Sequence, residues 1–372
     1  MFLISLCTAL VLFTLAAASF TRREVYNSAI GFNGRTRFEI NRIYLILFCA
    51  ILVLTSTLRH GFIDTYAYRI MYKEVRDNLG YIHDNKWGIE AGWLYFLYFL
   101  NYFTANPILM LFISALIINV AYTRTMHKYS ADVAFSLLIY FCINYLDTNN
   151  GLRQFVAAGI VILAFPLLLK KKFIIYALLV ILAAQFHASV YVCLIFAFIL
   201  PGKPFNFRVL IALAVCVVFF IAPNIINNTL EKIFADNDSK YGMYLGNHFG
   251  MGIMRALIIG VIPLALAILH LWKCRIMRIE ISKEDAMLIN ALVINSILVF
   301  MGLSMQYWAR LCFYTSFAPM VLLPKLLYSF TGEKYFRLYK TIAMILYFVF
   351  FCYNVYVNIG YGAMDDFYIT FQ

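Results

Sequence analysis

Apolar stretches long enough to cross a lipid bilayer recur from one end of this chain to the other. Of the 372 residues, 64% are hydrophobic and only 13% are charged, whereas about a quarter of the residues in a soluble domain are charged. Inside a bilayer the backbone polar groups must bond to each other, which leaves α-helices and closed β-barrels as spanning structures. A barrel would show alternating apolar and polar residues in segments of about ten, and the sequence lacks that pattern. We therefore predict an all-α polytopic integral membrane protein.

The apolar stretches predict about twelve transmembrane helices. Their expected positions are 2–20, 43–58, 108–123, 133–147, 153–169, 173–185, 188–200, 209–225, 253–272, 286–305, 311–328 and 340–358. The first resembles a secretory signal, but it lacks a basic segment before it and is followed directly by Arg22 and Arg23, so we interpret it as a retained helix. Residues 91–104 (AGWLYFLYFLNYFT) are short for a crossing and are followed by Asn106-Pro107, which favours a re-entrant or interfacial helix.

The lysine and arginine residues predict the orientation of these helices, because loops rich in them face the cytoplasm. The segments expected there are Arg22 to Arg42, Arg124 to Lys128, Lys170 to Lys172, Lys203 to Arg208, Lys273 to Lys283 and Lys334 to Lys340. Counting residues 91–104 as a full crossing would move Lys170 to Lys172 outside, which is the main reason to reject it. This placement also accounts for the net charge of +12, so we expect no nucleic-acid partner.

The chain shows no linker and no low-complexity tract, which predicts a single transmembrane domain over residues 1–372. Its larger extramembrane segments are expected to be the outer-face loops 59–90 and 226–252. The eight cysteines are scattered, without a CxxC pair or metal-ligand spacing, so we interpret them as small buried hydrophobic residues.

This topology places several ionisable residues at the outer ends of separate helices. They are Arg59, His60, Asp64, Glu90, Arg153, His187 and Arg310. The chain crosses twice between Lys172 and Lys203, so both helices must be short and the turn with His187 should lie below the outer surface. Ionisable residues within a membrane are costly and usually functional. A carbonyl-bonded structural histidine or a snorkelling arginine is the competing interpretation of each residue alone, whereas the whole set favours a shared site.

The composition of this set suits phosphate chemistry. Clustered arginines bind phosphate or pyrophosphate through bidentate, permanently charged donors and stabilise charge that develops on a phosphate leaving group. A histidine or carboxylate nearby would accept a proton from an incoming hydroxyl. The sequence shows no phosphate-binding glycine loop and no cytoplasmic nucleotide fold. We therefore expect a lipid-linked phosphate donor at the outer leaflet, and neither a metal nor another cofactor.

At the same residues the sequence resembles the EpsG-like branch of the Wzy-type polysaccharide polymerases. The resemblance follows the order LRHGFIDTYAY, IEAGW, NGLRQFVA before KKK, AAQFHASV and ARLCFYTSFAPMVLLP, over roughly residues 50 to 325. The arginine–glutamine and phenylalanine–histidine blocks are its most specific parts. The chain departs from the family where it has His60 in place of a tyrosine and Glu90-Ala91-Gly92 in place of EPG.

The resemblance implies a metal-independent glycosyltransferase with an architecture like that of C-type glycosyltransferases. Such enzymes join undecaprenyl-pyrophosphate-linked repeat units into O-antigen, capsule or exopolysaccharide at the outer face of the bacterial inner membrane. Their partners would be the lipid-linked donor and acceptor, membrane lipid and, as a further candidate, a chain-length regulator.

Transferred to this sequence, the resemblance implies a role for each residue of the set. Arg153 and Arg310, with Arg59, would bind the pyrophosphate. His187 is the candidate general base, and Asp64 is the competing choice. Glu90 and Gln154 would position sugar hydroxyls, and the aromatic segment 91–104 would line the lipid entrance.

Three other functions remain open from the sequence. A flippase or other transporter of lipid-linked oligosaccharides would also need arginines, but on a path open to both sides. A glycan ligase shares the chemistry and differs in its acceptor. A membrane O-acyltransferase would use a lone histidine, normally on the cytoplasmic side.

Overall fold

The computed structural model describes residues 22–26, 35–77, 80, 82, 88–221, 252–304 and 306–360. The helices in these ranges are α1 Arg42–Leu58, α2 Thr65–Asp77, α3 Ala91–Asn101, α4 Ile108–Tyr129, α5 Val133–Asn150, α6 Leu152–Leu169, α7 Phe173–Ala184, α8 Val192–Ile199, α9 Phe207–Ile221, α10 Ile253–Ile276, α11 Lys283–Met301, α12 Gln306–Leu311 and α13 Phe317–Gly360. Short 3₁₀ helices occupy Ala188–Tyr191 and Cys312–Tyr314. The predicted helix 2–20 and nearly all of the predicted loop 226–252 lie outside the described residues.

Within the described part of the chain, five helices are long and apolar enough to cross a membrane, namely α4, α6, α10, α11 and α13. Shorter apolar helices cover Arg42–Leu58, Phe173–Ala184, Ala188–Ile199 and Phe207–Val218. The protein is therefore an α-helical membrane protein, as predicted. Twelve as the number of crossings stays a prediction, as does the resemblance to C-type glycosyltransferases.

The structure changes several of the predicted boundaries. The predicted helices 311–328 and 340–358 correspond to two helical segments of α13, which meet at Gly332, where the backbone is not helical. The second segment starts earlier than predicted and includes the predicted loop Lys334 to Lys340. Gly332 has a φ of 67°, a left-handed value that glycine adopts without a steric penalty. The predicted loop 59–90 contains an amphipathic helix, α2. Before α1, a two-stranded antiparallel sheet pairs β1 Arg22–Tyr26 with β2 Arg35–Glu39.

The two most buried helices are α5 and α11, and they lie inside the bundle. Polar side chains in this interior bond to one another, as buried polar groups must. Tyr140 on α5 donates to Asn119 Oδ1 on α4 at 2.9 Å, and Asn144 donates to Ser316 Oγ at 2.8 Å. These bonds fix α5 against α4 and the start of α13.

The bundle has a polar region at each end. At one end, Asp132 accepts from Lys340 and Asp285 accepts from Lys325. Asp132 precedes α5, whereas Asp147 and Asn150 lie in its last turn, at the opposite end of the bundle. The ends of α1, α5 and α7 and the start of α6 meet there, and their loops build the site described next.

Candidate functional site

A cavity of about 90 Å³ lies where these helix ends meet. Five of the side chains predicted from the sequence line it, namely Asp64, Arg153, Gln154, His187 and Arg310. Tyr68, Ser189 and Tyr307 complete its polar wall. The structure thus brings together residues from four separate parts of the chain, as the predicted topology required.

Glu90 lies beside this cavity and connects two of its walls. Its carboxylate pairs with the guanidinium of Arg153 and accepts a hydrogen bond from the backbone N–H of Ala188 at 2.9 Å. The two side chains are only 8% and 15% exposed, so the pair is largely shielded from solvent. Charge-assisted bonds of this kind are shorter and stronger than neutral ones. Glu90 therefore sets the position of Arg153 relative to His187, rather than facing the cavity itself.

Gly92 allows Glu90 to reach this position. A Cβ atom on Gly92 would lie 2.3 Å from Gln185 Cβ and 2.8 Å from the Gln185 carbonyl oxygen. The first turn of α3 therefore packs directly on the end of α7, which no larger residue permits without a shift of the backbone. In the sequence Glu90-Ala91-Gly92, the carboxylate of Glu90 thus binds Arg153 and Ala188, and Gly92 allows α3 to pack closely enough on Gln185 for these bonds to form.

His187 is held in the turn between α7 and the 3₁₀ helix that begins at Ala188. Its Nδ1 atom lies 2.8 Å from Ser189 Oγ, which in turn lies 2.7 Å from the hydroxyl oxygen of Tyr314. The proton on one imidazole nitrogen is set by the hydrogen bond that the other makes. If Nδ1 donates to Ser189 and Ser189 donates to Tyr314, the lone pair of Nε2 is available to accept a proton.

Asp64 follows a strained turn, in which Ile63 has a φ of 44°. Burial raises the pKa of the Asp64 carboxyl, and the positive charges of Arg310 and Arg153 oppose that rise. A partly desolvated carboxylate is a stronger base than one in water. Asp64 is therefore also equipped to take a proton from a hydroxyl group.

Gln154 and Arg310 are connected through the backbone. The Gln154 side chain is 3% exposed and donates to the carbonyl oxygen of Arg310 at 3.0 Å. This bond fixes the end of α12 against the start of α6, so Gln154 positions Arg310. It also lines the cavity, where its predicted contact with sugar hydroxyls stays a prediction.

Arg59 differs from the expectation, since it does not line the cavity. Its side chain is 0% exposed. The guanidinium donates to the carbonyl oxygens of Ser56 and Asn149 and to Thr65 Oγ1. These bonds connect the end of α1 to the end of α5, so in this structure Arg59 stabilises the fold around the site. His60, the next residue, is half-buried and does not line the cavity either.

The aromatic helix α3 presents two faces. Trp93, Leu94 and Leu97 are buried, and the Trp93 ring packs edge-on against Tyr68 and Phe186. Tyr95, Tyr98 and Phe99 are exposed on the other face. With 11 residues, the helix is about 16 Å long at 1.5 Å per residue, which is too short to cross a bilayer. Its predicted place at the lipid entrance stays a prediction.

A second cavity, of about 540 Å³, adjoins the first and shares Gly151, Gln154 and Arg310 with it. Asp147 and Arg255 also line this second cavity, and sequence reasoning did not select them. Asp147 lies in the last turn of α5 and Arg255 in the first turn of α10, both at the site end. The criterion that selected Arg153, an ionisable residue at such a helix end, therefore applies to them as well. Both residues fall within the predicted helices 133–147 and 253–272, which are otherwise mostly apolar. Ser189 was missed although it lies two residues from His187, because a nearby serine is not a distinctive signal, and Tyr314 was missed because only the fold brings it to Ser189.

Among the described residues, no group of three or more His, Cys, Asp or Glu side chains is placed to hold a metal ion. The polar groups that the site offers are guanidinium, carboxylate, imidazole, amide and hydroxyl. That set suits binding of an oxyanion and transfer of a proton.

Comparison with known proteins identifies one family. The model of the EpsG family matches residues 42–368, a range that includes every residue of both cavities. No curated protein matches the chain, and no solved structure does.

Proposed function

The chain belongs to the EpsG family, and from this premise we propose that it is a membrane glycosyltransferase that polymerises lipid-linked oligosaccharide repeat units. Its products would be O-antigen, capsule or exopolysaccharide. The donor and acceptor are repeat units carried on undecaprenyl pyrophosphate. The reaction takes place at the outer face of the bacterial inner membrane, where the predicted orientation puts the cavity.

One observation carries this proposal, namely the juxtaposition of guanidinium groups and proton acceptors around one cavity. Arg153 and Arg310 line it together with His187 and Asp64. A transferase that uses a pyrophosphate leaving group needs positive charge where the pyrophosphate leaves and a base where the acceptor hydroxyl enters. Arg310 is our candidate for the first requirement and His187 or Asp64 for the second, and all three side chains line this cavity.

The reaction exchanges one bond at the anomeric carbon of the donor for another. The bond from that carbon to the pyrophosphate oxygen breaks, and its electron pair leaves with undecaprenyl pyrophosphate. The acceptor hydroxyl oxygen bonds to the anomeric carbon and gives its proton to the base. We assign His187 as that base, through Nε2, because Ser189 and Tyr314 hold its other nitrogen. Asp64 is the competing base.

The two arginines have different roles in this proposal. Glu90 balances the charge of Arg153, so Arg153 orients the donor in a nearly neutral pair. Arg310 lines both cavities, which makes it the residue we assign to the departing pyrophosphate. Preorganised donors of this kind stabilise developing negative charge more than water does, since they need no reorganisation.

The test is the length of the surface glycan on a gel. Cells that lack the gene are complemented with wild type, Arg310→Ala, His187→Ala or the control Arg337→Ala, which removes an exposed arginine near the other end of the bundle. We expect wild type and Arg337→Ala to restore the ladder, whereas Arg310→Ala and His187→Ala leave a single repeat unit, at equal protein levels in the membrane. Loss of one oxyanion donor typically slows such reactions by about 100-fold.

Other outcomes would contradict the proposal. An unchanged ladder in the deletion strain would exclude a polymerase. Repeat units that stay on the cytoplasmic side would indicate a transporter. Full-length polymer that remains on its lipid carrier would indicate a ligase. A normal ladder from His187→Ala would exclude His187 as the base and leave Asp64.

A further inference from the structure

The 540 Å³ cavity carries its own pair of arginines. Arg255, in the first turn of α10, and Arg310, in the last turn of α12, both line it. Asn150 and Asn354 add amide groups to the wall. Two guanidinium groups and two amides form a set of hydrogen-bond donors that suits a phosphate-rich group.

Arg255 is held in place by an ion pair. Its guanidinium donates to both carboxylate oxygens of Asp147, and to the carbonyl oxygen of Ile143 at 3.4 Å. The two side chains keep partial exposure, 19% for Arg255 and 27% for Asp147. Asp147 therefore orients Arg255 at the wall of the cavity, where the side chain stays partly exposed. An arginine with only a structural role would be enclosed, as Arg59 is.

An apolar groove of about 570 Å³ continues from this cavity. It lies between α10 and α13, and its wall includes Leu257, Ile262, Leu327, Ala343 and Leu346. Met254, Phe350 and Tyr353 line both spaces. The groove is thus continuous with the arginine cavity, and the arginine cavity is continuous with the 90 Å³ cavity through Arg310.

The shape of α10 helps to form this groove. Residues Leu257–Val261 form a π-helical turn, and such turns leave carbonyl groups without their usual helical partners. Two side chains of α11 satisfy them, because Asn295 donates to the Ile259 carbonyl and Ser296 donates to the Gly260 carbonyl. The turn is therefore supported by its neighbour, and its residues Leu257 and Ile258 lie on the groove wall.

We infer that this compartment is the binding site of the donor's polyprenyl pyrophosphate, with the pyrophosphate between Arg255 and Arg310 and the first isoprene units in the groove between α10 and α13. The inference rests on the proposed function and assigns its two substrates to different spaces. The donor's anomeric carbon then lies near Arg310, where the two cavities meet. The acceptor hydroxyl enters the 90 Å³ cavity beside His187 and Asp64. Arg310 contacts the leaving pyrophosphate, and Arg255 holds it before and after transfer.

The continuity of charge and apolar surface favours this occupant over a membrane phospholipid. An isoprenoid pyrophosphate combines several negative oxygens with one hydrocarbon chain, which suits two arginines beside one apolar groove. A phospholipid carries two acyl chains and one phosphate. Phospholipid binding is therefore an outcome that the experiment must be able to show.

The experiment measures binding to the full-length protein in nanodiscs, with farnesyl pyrophosphate as the probe. Inorganic pyrophosphate serves as the probe without a tail, and a short-chain phosphatidic acid serves as the phospholipid. Arg255→Gln removes the proposed charge, and Ala343→Trp fills the groove. Ile345→Trp is the matched control, since Ile345 lies on the same helix, is 57% exposed and does not line the groove.

We expect Arg255→Gln to weaken farnesyl pyrophosphate binding by about 10-fold, the usual effect of losing a charge-assisted hydrogen bond. Ala343→Trp should weaken binding of farnesyl pyrophosphate by a similar factor and leave binding of inorganic pyrophosphate unchanged. Ile345→Trp should bind both probes like wild type. Melting temperatures of all variants show whether each is folded, and the two variants test the head group and the tail independently.

Three results would overturn the inference. The first is that Arg255→Gln binds farnesyl pyrophosphate as tightly as wild type does. The second is that Ala343→Trp and Ile345→Trp change the binding of farnesyl pyrophosphate equally. The third is that phosphatidic acid competes for the site as well as unlabelled farnesyl pyrophosphate does. Because binding is measured without polymerisation, the two proposals fail separately. If the glycan ladder excludes a polymerase while binding follows our expectation, the compartment remains a polyprenyl pyrophosphate site on a protein of another activity. If the ladder behaves as expected and the binding does not, this inference alone is wrong.

Discussion

At the scale of single residues, burial distinguishes arginines that look alike in the sequence. Arg59, Arg153 and Arg310 all lie next to or within the terminal turn of a helix, at the same end of the bundle. Arg59 is enclosed by carbonyl groups, Arg153 is paired with Glu90, and Arg310 lines two cavities. A guanidinium has five donors, and those of Arg59 are directed at protein groups in a fully buried position, whereas the Arg310 side chain borders cavity space. Arg59 therefore contributes to stability, whereas Arg310 is placed to contact a substrate.

Asp64 should reduce the stability of the fold at neutral pH, and Asp64→Asn should relieve that cost. Burial raises the pKa of Asp64 above its ordinary value of 3.8, so the folded state binds this proton more tightly than the unfolded state does. The free energy of unfolding therefore falls as the pH rises through the window between the ordinary and the raised pKa, and the full cost is present above it. We expect Asp64→Asn to raise the melting temperature at about pH 7 by on the order of 2 °C, with a gain that shrinks towards about pH 4.

The matched control is Asp77→Asn, at an exposed carboxylate that ends α2. It should show no gain that depends on pH in this way. Melting curves of the purified protein in detergent at several pH values provide the measurement. If Asp64→Asn melts at or below the temperature of wild type at pH 7, desolvation of Asp64 is not the dominant effect.

At the scale of secondary-structure elements, the short helices around His187 give the site its shape. The helix α7 has 12 residues and is about 18 Å long, which is shorter than the hydrocarbon core of a bilayer, about 30 Å thick. The helix α3 packs on that turn through Gly92 and Glu90. His187 is therefore positioned by two helices that are each too short to cross a bilayer.

Gly92→Ala should separate these elements. Because the added Cβ atom would lie 2.3 Å from Gln185 Cβ, α3 or the end of α7 must move, and overpacking of this kind costs about 1–3 kcal/mol. We expect a shortened glycan ladder and a lower melting temperature. The control is Gly159→Ala in α6, where the added atom would lie 3.4 Å from its nearest neighbour and alanine favours the helix by about 1 kcal/mol. Equal behaviour of the two variants would show that the packing of Gly92 is not critical.

At the scale of the whole molecule, the bundle separates its charges into two ends with different chemistry. At one end the ion pairs Asp132–Lys340 and Asp285–Lys325 join neighbouring helices. At the other end the charged residues line cavities. Lys340 belongs to the segment Lys334 to Lys340, which is predicted to be cytoplasmic because it is rich in lysine and arginine, and Lys325 lies at the same end of the bundle. We therefore expect the cavities at the opposite end to open to the outer face.

Labelling of single cysteines tests this orientation. In a background without native cysteines, Glu74→Cys on α2 and Lys334→Cys on α13 both introduce a thiol at an exposed position. A membrane-impermeant maleimide should label Glu74→Cys in intact spheroplasts and Lys334→Cys only after permeabilisation. Labelling of both from the same side, or in the opposite order, would show that the predicted orientation is wrong.

The class of fold, and the meeting of most candidate site residues at one cavity, can be predicted from local features of the sequence. Runs of apolar residues specify membrane helices because the bilayer forces backbone groups to bond internally. The distribution of lysine and arginine then assigned Asp64, Arg153, His187 and Arg310 to one end of the bundle, where the structure brings them to a single cavity. These inferences depend on local composition and on the parity of the crossings, which a sequence contains.

The groups that surround each of these residues, by contrast, follow only from the tertiary structure. The enclosure of Arg59, the Glu90–Arg153 pair, the contact of Ser189 with His187 and Tyr314, and the position of Arg255 above an apolar groove all depend on contacts between distant segments. The helix α2 and the helical conformation of Lys334 to Lys340 were likewise not predicted, because charged residues that look like a loop remain helical where the bundle packs against them. Hydropathy records where a segment lies relative to the membrane, whereas the role of a polar side chain depends on its neighbours, and only the folded chain determines those.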